Sequence, residues 1–267
     1  MSELMGYIAA LLIGLSLGLI GGGGSILTVP VLVYLFGIQP LLAISYSLFV
    51  VGLTSLIGAF NSYRKGFVHL RTVFLFGITS IIVIVLTRRF LLPVIPPAFS
   101  VGGIRVELGS LTMVAFALLM LLSSYSMIKG KGTPVEVAHH SHSYLKLAAF
   151  GIVVGLITGF LGAGGGFVLI PALVVMLGMP MKTAVGTSLL IIALNSLVGF
   201  AADAGTYHTN WKLLTIISLI AILGVILGGA LSLRIRGDKL KKGFGWFVLM
   251  MALYVLVKEL LFTNFSQ

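Results

Sequence analysis

Apolar segments follow one another along almost the whole chain with little polar sequence between them. A helix that crosses the hydrocarbon core of a bilayer needs about 20 predominantly apolar residues. A membrane β-barrel would instead show weak alternating patterns. Only 9% of the 267 residues are charged, against about 25% in a soluble domain. The sequence therefore predicts an all-α, polytopic membrane protein with about ten hydrophobic segments. These are 4–20, 26–38, 42–60, 71–87, 108–128, 144–161, 167–179, 183–202, 213–233 and 245–262.

The two halves of the chain repeat each other. Pro30 recurs as Pro171, and the same offset of 141 residues pairs glycines and serines without a gap from Gly21 to about Thr72. Chance readily matches apolar residues, but it does not readily place Pro, Gly and Ser in register, so we infer an internal duplication. The predicted organisation is a first transmembrane repeat at 1–128, a polar linker at 129–143 and a second transmembrane repeat at 144–267.

Charge placement predicts how the repeats are oriented. Segments 26–38 and 167–179 would form helices of only about 20 Å, so each is expected to form a hairpin with the segment before it. Each half then crosses the membrane an odd number of times, and most of the 17 lysines and arginines fall on one face. If each hairpin were instead a single bent crossing, the lysines and arginines would divide almost evenly between the two faces of the membrane. Since basic residues concentrate on the cytoplasmic side, we expect inverted repeats with both termini outside.

Two glycine clusters, GGGGS at 21–25 and GAGGG at 162–166, interrupt equivalent positions of the two halves. Glycine costs about 1 kcal/mol per residue in a helix interior, and backbone freed in a membrane must find partners or line a cavity. The N–H groups beside the start of the next helix favour anions. Matched breaks in two halves point to a binding site between them, whereas close helix packing is the alternative explanation. The candidate substrate-binding residues here are Gly22, Gly23, Gly24, Ser25, Gly164, Gly165 and Gly166.

A polar stripe lies on segment 42–60 and again on its repeat at 183–202. Ser47 and Ser55 are eight residues apart, so they share one face of a helix. These hydroxyls and amides could donate hydrogen bonds to a polar solute or, as the alternative, join neighbouring helices. The further candidate substrate-binding residues are Ser45, Ser47, Thr187, Ser188 and Asn195.

Several classes of function have no support in the sequence. The chain has no cysteine, which excludes disulfides and thiolate metal sites. Its basic residues lie between apolar segments, where they set orientation, and this argues against a nucleic-acid partner. No acidic residue lies in the middle of an apolar segment, which argues against a cation pump with a carboxylate relay. We find no catalytic motif and therefore predict no enzyme activity, no cofactor and no metal site.

The paired motifs resemble those of the sulfite exporter TauE/SafE family. The first is GLIGGGGS at 18–25, followed by Pro30 and AISYS at 43–47. The second is GFLGAGGG at 159–166, followed by Pro171 and AVGTS at 184–188. The resemblance covers nearly the whole chain. It implies a membrane transporter of sulfur-containing or organic anions, for which sulfite, thiosulfate and sulfonates are proposed substrates.

The resulting hypothesis is a secondary transporter that moves a small, sulfur-containing anion by alternating access across a prokaryotic cytoplasmic membrane, in which the chain is a multi-pass protein. A passive anion channel and a membrane assembly subunit without transport activity remain as alternatives. The expected partners are the small anionic substrate and the lipid bilayer. The sequence leaves open whether the protein forms a homo-oligomer and whether a proton or a sodium ion is coupled to transport.

Overall fold

The structure is a computed structural model that describes residues 2–96, 98–101, 104–129, 144–162, 164–206, 209–231 and 237–263. Most of the linker, including His139, His140 and His142, lies outside the described residues. The helices of the first half are α1 (Ser2–Ile20), α2 (Thr28–Tyr34), α3 (Pro40–Arg64), α4 (Leu70–Val94) and α5 (Leu108–Lys129). Those of the second half are α6 (Tyr144–Leu161), α7 (Gly166–Leu177), α8 (Met181–Ala202), α9 (Trp211–Leu231) and α10 (Gly237–Thr263).

Five of these helices, α3, α4, α5, α8 and α9, are long and apolar enough to cross a membrane. Helices α1 and α6 and the segment leading into α2 are shorter but also apolar. Large apolar side chains such as Phe74 and Leu223 are exposed on the outside of the bundle, as expected for helices whose outer surface faces lipid rather than water. The chain is a multi-pass integral membrane protein, and the predicted all-α class is confirmed.

Helix α4 extends beyond segment 71–87, where the sequence predicts that the apolar helix ends. Helix α4 instead continues through a π-helical turn, Thr87–Leu91, and ends at Val94. Pro93 is accommodated there because a widened turn has already interrupted the regular hydrogen-bond ladder, which a proline could not continue. An antiparallel hairpin of β1 (Ala98–Val101) and β2 (Ile104–Glu107) follows.

The two halves pack on each other with inverted symmetry. Helix α1 packs along α9, and its equivalent α6 packs along α4, while α3 packs on its own equivalent α8, and α5 on α10. Along the α3–α8 contact, Gly52 lies against Leu197 and Gly58 against Leu189. Residue numbers increase along α3 in the direction in which they decrease along α8, so these equivalent helices run antiparallel. The repeats are therefore inverted, as the sequence predicts.

Glycines allow the equivalent helix pairs to approach closely. A Cβ atom on Gly14 of α1 would lie 1.9 Å from the carbonyl oxygen of Ala221 in α9. The equivalent glycines of α6, Gly155 and Gly159, lie against α4, where added Cβ atoms would come within 2.8 and 3.0 Å of its atoms. Small residues at such contacts are typical of helix association in membranes. These contacts hold helices of one half against helices of the other.

The start of α1 and the end of α10 lie at the same end of the bundle. Gly6 of α1 lies against Phe36, and two residues before Phe36 the Tyr34 hydroxyl donates to the Glu259 carboxylate of α10 over 2.8 Å. We call this end, which also includes residues 203–206, the terminal face. At the opposite end, which we call the linker face, Lys182 lies over the ring of Phe67. Both ends of the described chain thus lie on one face, as odd-numbered inverted repeats require.

Candidate functional site

The two glycine clusters meet inside the bundle. A Cβ atom on Gly22 would lie 3.0 Å from the backbone of Gly166, and one on Gly166 would lie 2.8 Å from Cα and O of Gly22. We call residues 21–25 the first tip and residues 162 and 164–166 the second tip. Backbone contact of this kind is open only to glycine, because any side chain would separate the two tips. The breaks that the sequence places in different halves are therefore neighbours in space.

The second tip ends one helix and begins another. Gly164 and Gly165 have φ angles of +65° and +70°, in the left-handed region that side chains disfavour. Helix α7 begins at Gly166, and the Val168 and Leu169 N–H groups donate to the Gly165 carbonyl. The first N–H groups of a helix lack intrahelical acceptors and carry a partial positive charge. This tip therefore presents hydrogen-bond donors and a favourable potential to an anion.

The first tip has a different local structure. Its chain passes through a 3-10 turn, Gly23–Leu27, directly into α2. Within it, the Ser25 hydroxyl donates to the Gly22 carbonyl over 2.9 Å. A Cβ atom on Gly24 would lie 2.3 Å from Ser16 Oγ. The two tips are thus equivalent in position but unequal in the donors that they present.

Close packing accounts for part of the glycine requirement. A Cβ atom on Gly164 would lie 2.9 Å from Val51 Cγ1 and from Ile192 Cγ2. Gly162 is similarly close to Ile44 of α3. Close helix packing, the alternative explanation of the glycine clusters, therefore applies to these glycines. The Gly22–Gly166 contact leaves no space for a solute between these two backbones, so an anion reaching this point requires the tips to separate.

Buried hydroxyl groups flank the second tip. The Thr158 Oγ1 atom is 2.9 Å from the position of a Cβ on Gly165, and Ser196 Oγ is 3.4 Å from that of a Cβ on Gly164. Both side chains are fully buried, and within the described part of the chain neither oxygen has a hydrogen-bond partner. The same holds for the hydroxyl of Ser55, the equivalent of Ser196 in the first half. Because buried polar atoms are normally paired, these atoms mark a place suited to a polar ligand.

Other predicted donors already have partners. The Ser47 hydroxyl donates to the Gly162 carbonyl over 3.0 Å and so supports the second tip. The Ser188 hydroxyl donates to Val185 of its own helix. Asn195 accepts a hydrogen bond from Ser80 through its amide oxygen, whereas its amide nitrogen has no partner among the described residues.

Thr187 is held by a contact that is repeated in both halves. Its hydroxyl oxygen accepts a hydrogen bond from the His69 N–H at the start of α4, over 3.0 Å. In the other half, the Tyr46 hydroxyl accepts from the Asn210 N–H at the start of α9. Residues 46 and 187 are equivalent, as are 69 and 210. These hydroxyl groups position helix starts, which is a structural role that the sequence pattern did not reveal.

The predicted donors do not form one cluster. Because α3 and α8 run antiparallel, Thr187 lies toward the linker face, near His69. Ser45, in the equivalent segment of α3, is buried near Asp203 toward the terminal face. Ser47 and the flanking hydroxyls Thr158 and Ser196 lie at the second tip. The structure therefore brings the glycine tips together but distributes the serines and threonines along the α3–α8 contact.

A buried ion pair was missed by the sequence analysis. Arg88 directly follows the predicted segment 71–87, so it was expected among the basic residues between apolar segments. It is instead 5% exposed and lies in the π-helical turn of α4. It pairs with the Asp203 carboxylate, and its Nε donates to the Gly159 carbonyl over 3.0 Å. The apolar sequence FLLPV at 90–94 was the signal that the helix continues past Arg88.

The fold and tips define a class of protein, a helical membrane protein built from inverted repeats whose broken helices meet between the halves. This architecture is typical of secondary transporters. The family described as sulfite exporter TauE/SafE matches residues 7–255. The chain belongs to this family, which confirms the resemblance seen in the motifs, and it is a member of a family of membrane transporters.

Curated relatives carry matching descriptions. A probable membrane transporter protein of Xylella fastidiosa is 30% identical, with 92% of this chain and 91% of the relative covered. The probable membrane transporter protein YunE of Bacillus subtilis is 28% identical, with coverages of 87% and 89%. The probable membrane transporter protein MJ0441 of Methanocaldococcus jannaschii is 27% identical, with coverages of 86% and 84%. No solved structure gives a significant match to this chain.

Proposed function

We propose that this protein is a secondary transporter that moves a small, sulfur-containing anion, such as sulfite, thiosulfate or a sulfonate, across the cytoplasmic membrane by alternating access. The observation that carries the proposal is that the Gly22 and Gly166 backbones meet beside buried hydroxyl groups that have no hydrogen-bond partner among the described residues. The description of the family as sulfite exporters supports the choice of substrate class.

Binding would use the donors of the second tip. The N–H groups of Gly164, Gly165 and Gly166 lie at the positive end of α7. The hydroxyl groups of Thr158 and Ser196 flank them. An oxyanion accepts hydrogen bonds from several directions, and a hydrogen bond to a charged group contributes about 1.5–3 kcal/mol. On this proposal, Gly22, Gly23, Gly24 and Ser25 complete the site from the other half, and Ser47 holds the Gly162 carbonyl in place.

Movement would occur between two groups of helices, and each group contains helices from both repeats. One group, which we call the first bundle, contains α1, α3 and α9; the second bundle contains α4, α6 and α8. They contact each other along α3 and α8 and through the tips. Since the tips are closed on each other at Gly22 and Gly166, passage of an anion needs the bundles to rock apart. This favours a carrier over an open channel.

A thermal-shift screen tests the proposed substrate class. Ligands that bind only the native state raise its melting temperature, so sulfite, thiosulfate or methanesulfonate should stabilise the purified protein more than acetate or chloride. Thr158→Val keeps the shape of the side chain and removes the hydroxyl, and we expect it to reduce the shift. Thr112→Val is the matched control, because Thr112 donates to Gly109 within α5.

Two results would contradict the proposal. If none of the sulfur-containing anions shifts the melting temperature of the unmodified protein, the substrate class is wrong and the assembly-subunit alternative gains support. If an anion stabilises the protein but Thr158→Val and Thr112→Val respond like the unmodified protein, the binding site does not include this hydroxyl.

A further inference from the structure

Arg88 and Asp203 form a buried ion pair, and the proposed binding of an anion at the tips gives this pair no role. The two side chains are 2% and 8% exposed. Among the described side chains, Asp203 is the one buried acidic residue. Removing such charges from water is expensive, by several kcal/mol per ion even after relaxation. Buried ionisable residues in a membrane protein most often serve the passage of ions or substrates.

The pair lies between the second tip and the terminal face. Arg88 donates to the carbonyl of Gly159, three residues before Gly162, so its guanidinium is beside the last turn leading into the second tip. Asp203 directly follows α8 and begins the connection at the terminal face. Ser45, a buried residue of the first bundle, lies near the Asp203 carboxylate and acts to lower its pKa. Arg88 and Ser45 are thus the charged and the polar group that face Asp203 within the described residues.

Among the described residues, the equivalent positions in the other half carry no charge. The offset of 141 residues makes Ser62 equivalent to Asp203. Beyond Thr72 it pairs Arg88 with Gly229, and the contacts agree, because Arg88 lies against Gly159 and Gly229 lies against the equivalent Gly18. Gly186 replaces Ser45, and a Cβ atom on it would lie 2.9 Å from Ser62 Cβ. As far as the structure describes this region, the same helix contact is therefore built without an ion pair between these positions on the linker-face side. The ion pair at these positions is thus particular to the terminal-face side, and packing of the repeat alone does not account for it.

Charge balance indicates what that purpose is. Arg88 and ionised Asp203 together are neutral. A monovalent anion added to the ionised pair would leave one uncompensated negative charge in a buried place, which is costly. If Asp203 takes up a proton, Arg88 and the anion are neutral together. A carboxylate and a small sulfur oxyanion both present oxygen acceptors to a guanidinium. The Asp203 carboxylate can therefore bind the Arg88 guanidinium in place of the substrate.

We propose that Arg88 is a contact for the transported anion on the terminal-face side of the tips and that Asp203 holds Arg88 when the anion is absent. Each monovalent anion then enters with one proton from solution, which converts the Asp203 carboxylate to the neutral acid. This inference rests on the proposed function and names the proton as the coupling ion. Release of Asp203 from Arg88 also changes the surroundings of Ser45 in the first bundle, which links the step to separation of the bundles.

The protonation state of Asp203 is suited to this exchange. Burial raises the pKa of Asp203 above its usual value, although Arg88 and Ser45 act in the opposite direction. A raised pKa brings the carboxyl closer to the range in which cellular pH changes protonate it. The neutral acid is therefore an accessible state once an anion competes for Arg88.

Methanesulfonate is a suitable probe because it stays monovalent at all relevant pH values. For the unmodified protein in detergent, we expect its apparent affinity to weaken by about tenfold per pH unit above the pKa of Asp203, as linkage to one proton requires. Asp203→Asn should bind methanesulfonate with the same affinity at every pH. Arg88→Gln should lose measurable binding, whereas Arg89→Gln, at the exposed neighbouring position, should behave like the unmodified protein.

The outcomes separate this inference from the proposed function. If the unmodified protein binds methanesulfonate equally at acidic and neutral pH, the proton linkage is wrong, while the proposed function stands. If it binds no sulfur-containing anion, the proposed function itself fails. If Asp203→Asn does not fold, the double variant Arg88→Met/Asp203→Leu replaces the ion pair with apolar side chains. Methanesulfonate binding by that variant with unchanged affinity and pH dependence would overturn the proposal.

Discussion

Removing the Ser196 hydroxyl should have opposite effects on stability and on anion binding. This hydroxyl is fully buried and has no partner within the described residues, and it lies beside Gly164 of the second tip. In the empty protein, it therefore contributes a desolvation cost without a compensating hydrogen bond. In the anion complex, the same hydroxyl would donate to the ligand. Ser196→Ala removes both the cost and the donor.

The expected magnitudes are large enough to measure. A buried polar group without a partner costs about 1–3 kcal/mol, so Ser196→Ala should stabilise the empty protein by up to that amount. A hydrogen bond to a charged ligand contributes about 1.5–3 kcal/mol, so the variant should lose at least about tenfold in anion affinity. Ser55→Ala, at the equivalent position of the first half, should act in the same directions if both halves contribute donors.

The assay measures melting temperature without ligand and methanesulfonate affinity on the same preparations. Ser124→Ala is the matched control, because the Ser124 hydroxyl is buried but donates to Leu121 within α5. We expect this control to leave the anion affinity unchanged. If Ser196→Ala lowers the melting temperature and keeps full affinity, its hydroxyl serves the fold, and the reasoning from unpaired polar atoms is refuted.

Three further predictions follow from the packing and orientation. Gly14→Ala should destabilise the protein by about 1–3 kcal/mol, because its Cβ would meet a backbone oxygen of α9. Gly77→Ala, whose Cβ would have no atom of the described residues within 4 Å, should be neutral or stabilising in the same unfolding measurement. Tyr46→Phe should cost about 1–3 kcal/mol by removing the acceptor of the Asn210 N–H, and an unchanged melting temperature would contradict this. In this cysteine-free chain, Ala204→Cys should react with an impermeant thiol reagent from outside and Lys65→Cys only from the cytoplasm; the reverse pattern would show that the orientation is wrong.

Long apolar segments could be predicted well from the sequence. Segments 108–128 and 144–161 correspond closely to α5 (Leu108–Lys129) and α6 (Tyr144–Leu161), because the polar linker separates them and a glycine cluster ends the second. The repeat offset also identified equivalent helices correctly, and the odd number of passes in each half predicted their inversion. These features depend on the hydrophobicity of segments and on the internal repeat, and both can be read directly from the sequence.

The contacts between side chains could not be predicted in the same way. The partner of Thr187 is the N–H of His69, and this contact depends on the antiparallel register of α3 and α8. Arg88 was expected on a membrane surface because its charge interrupts an apolar run, but Asp203 and the Gly159 carbonyl compensate that charge inside the bundle. Such compensation depends on residues that are distant in sequence.

Counterflow in proteoliposomes tests the central claim most directly. Vesicles containing the purified protein are loaded with unlabelled methanesulfonate, sulfite or thiosulfate, and the uptake of the same labelled anion is followed. An alternating-access carrier of these anions should show saturable uptake that the internal anion accelerates. Uptake that rises linearly with concentration and ignores the internal anion would indicate a channel, and uptake equal to that of protein-free vesicles would contradict anion transport altogether.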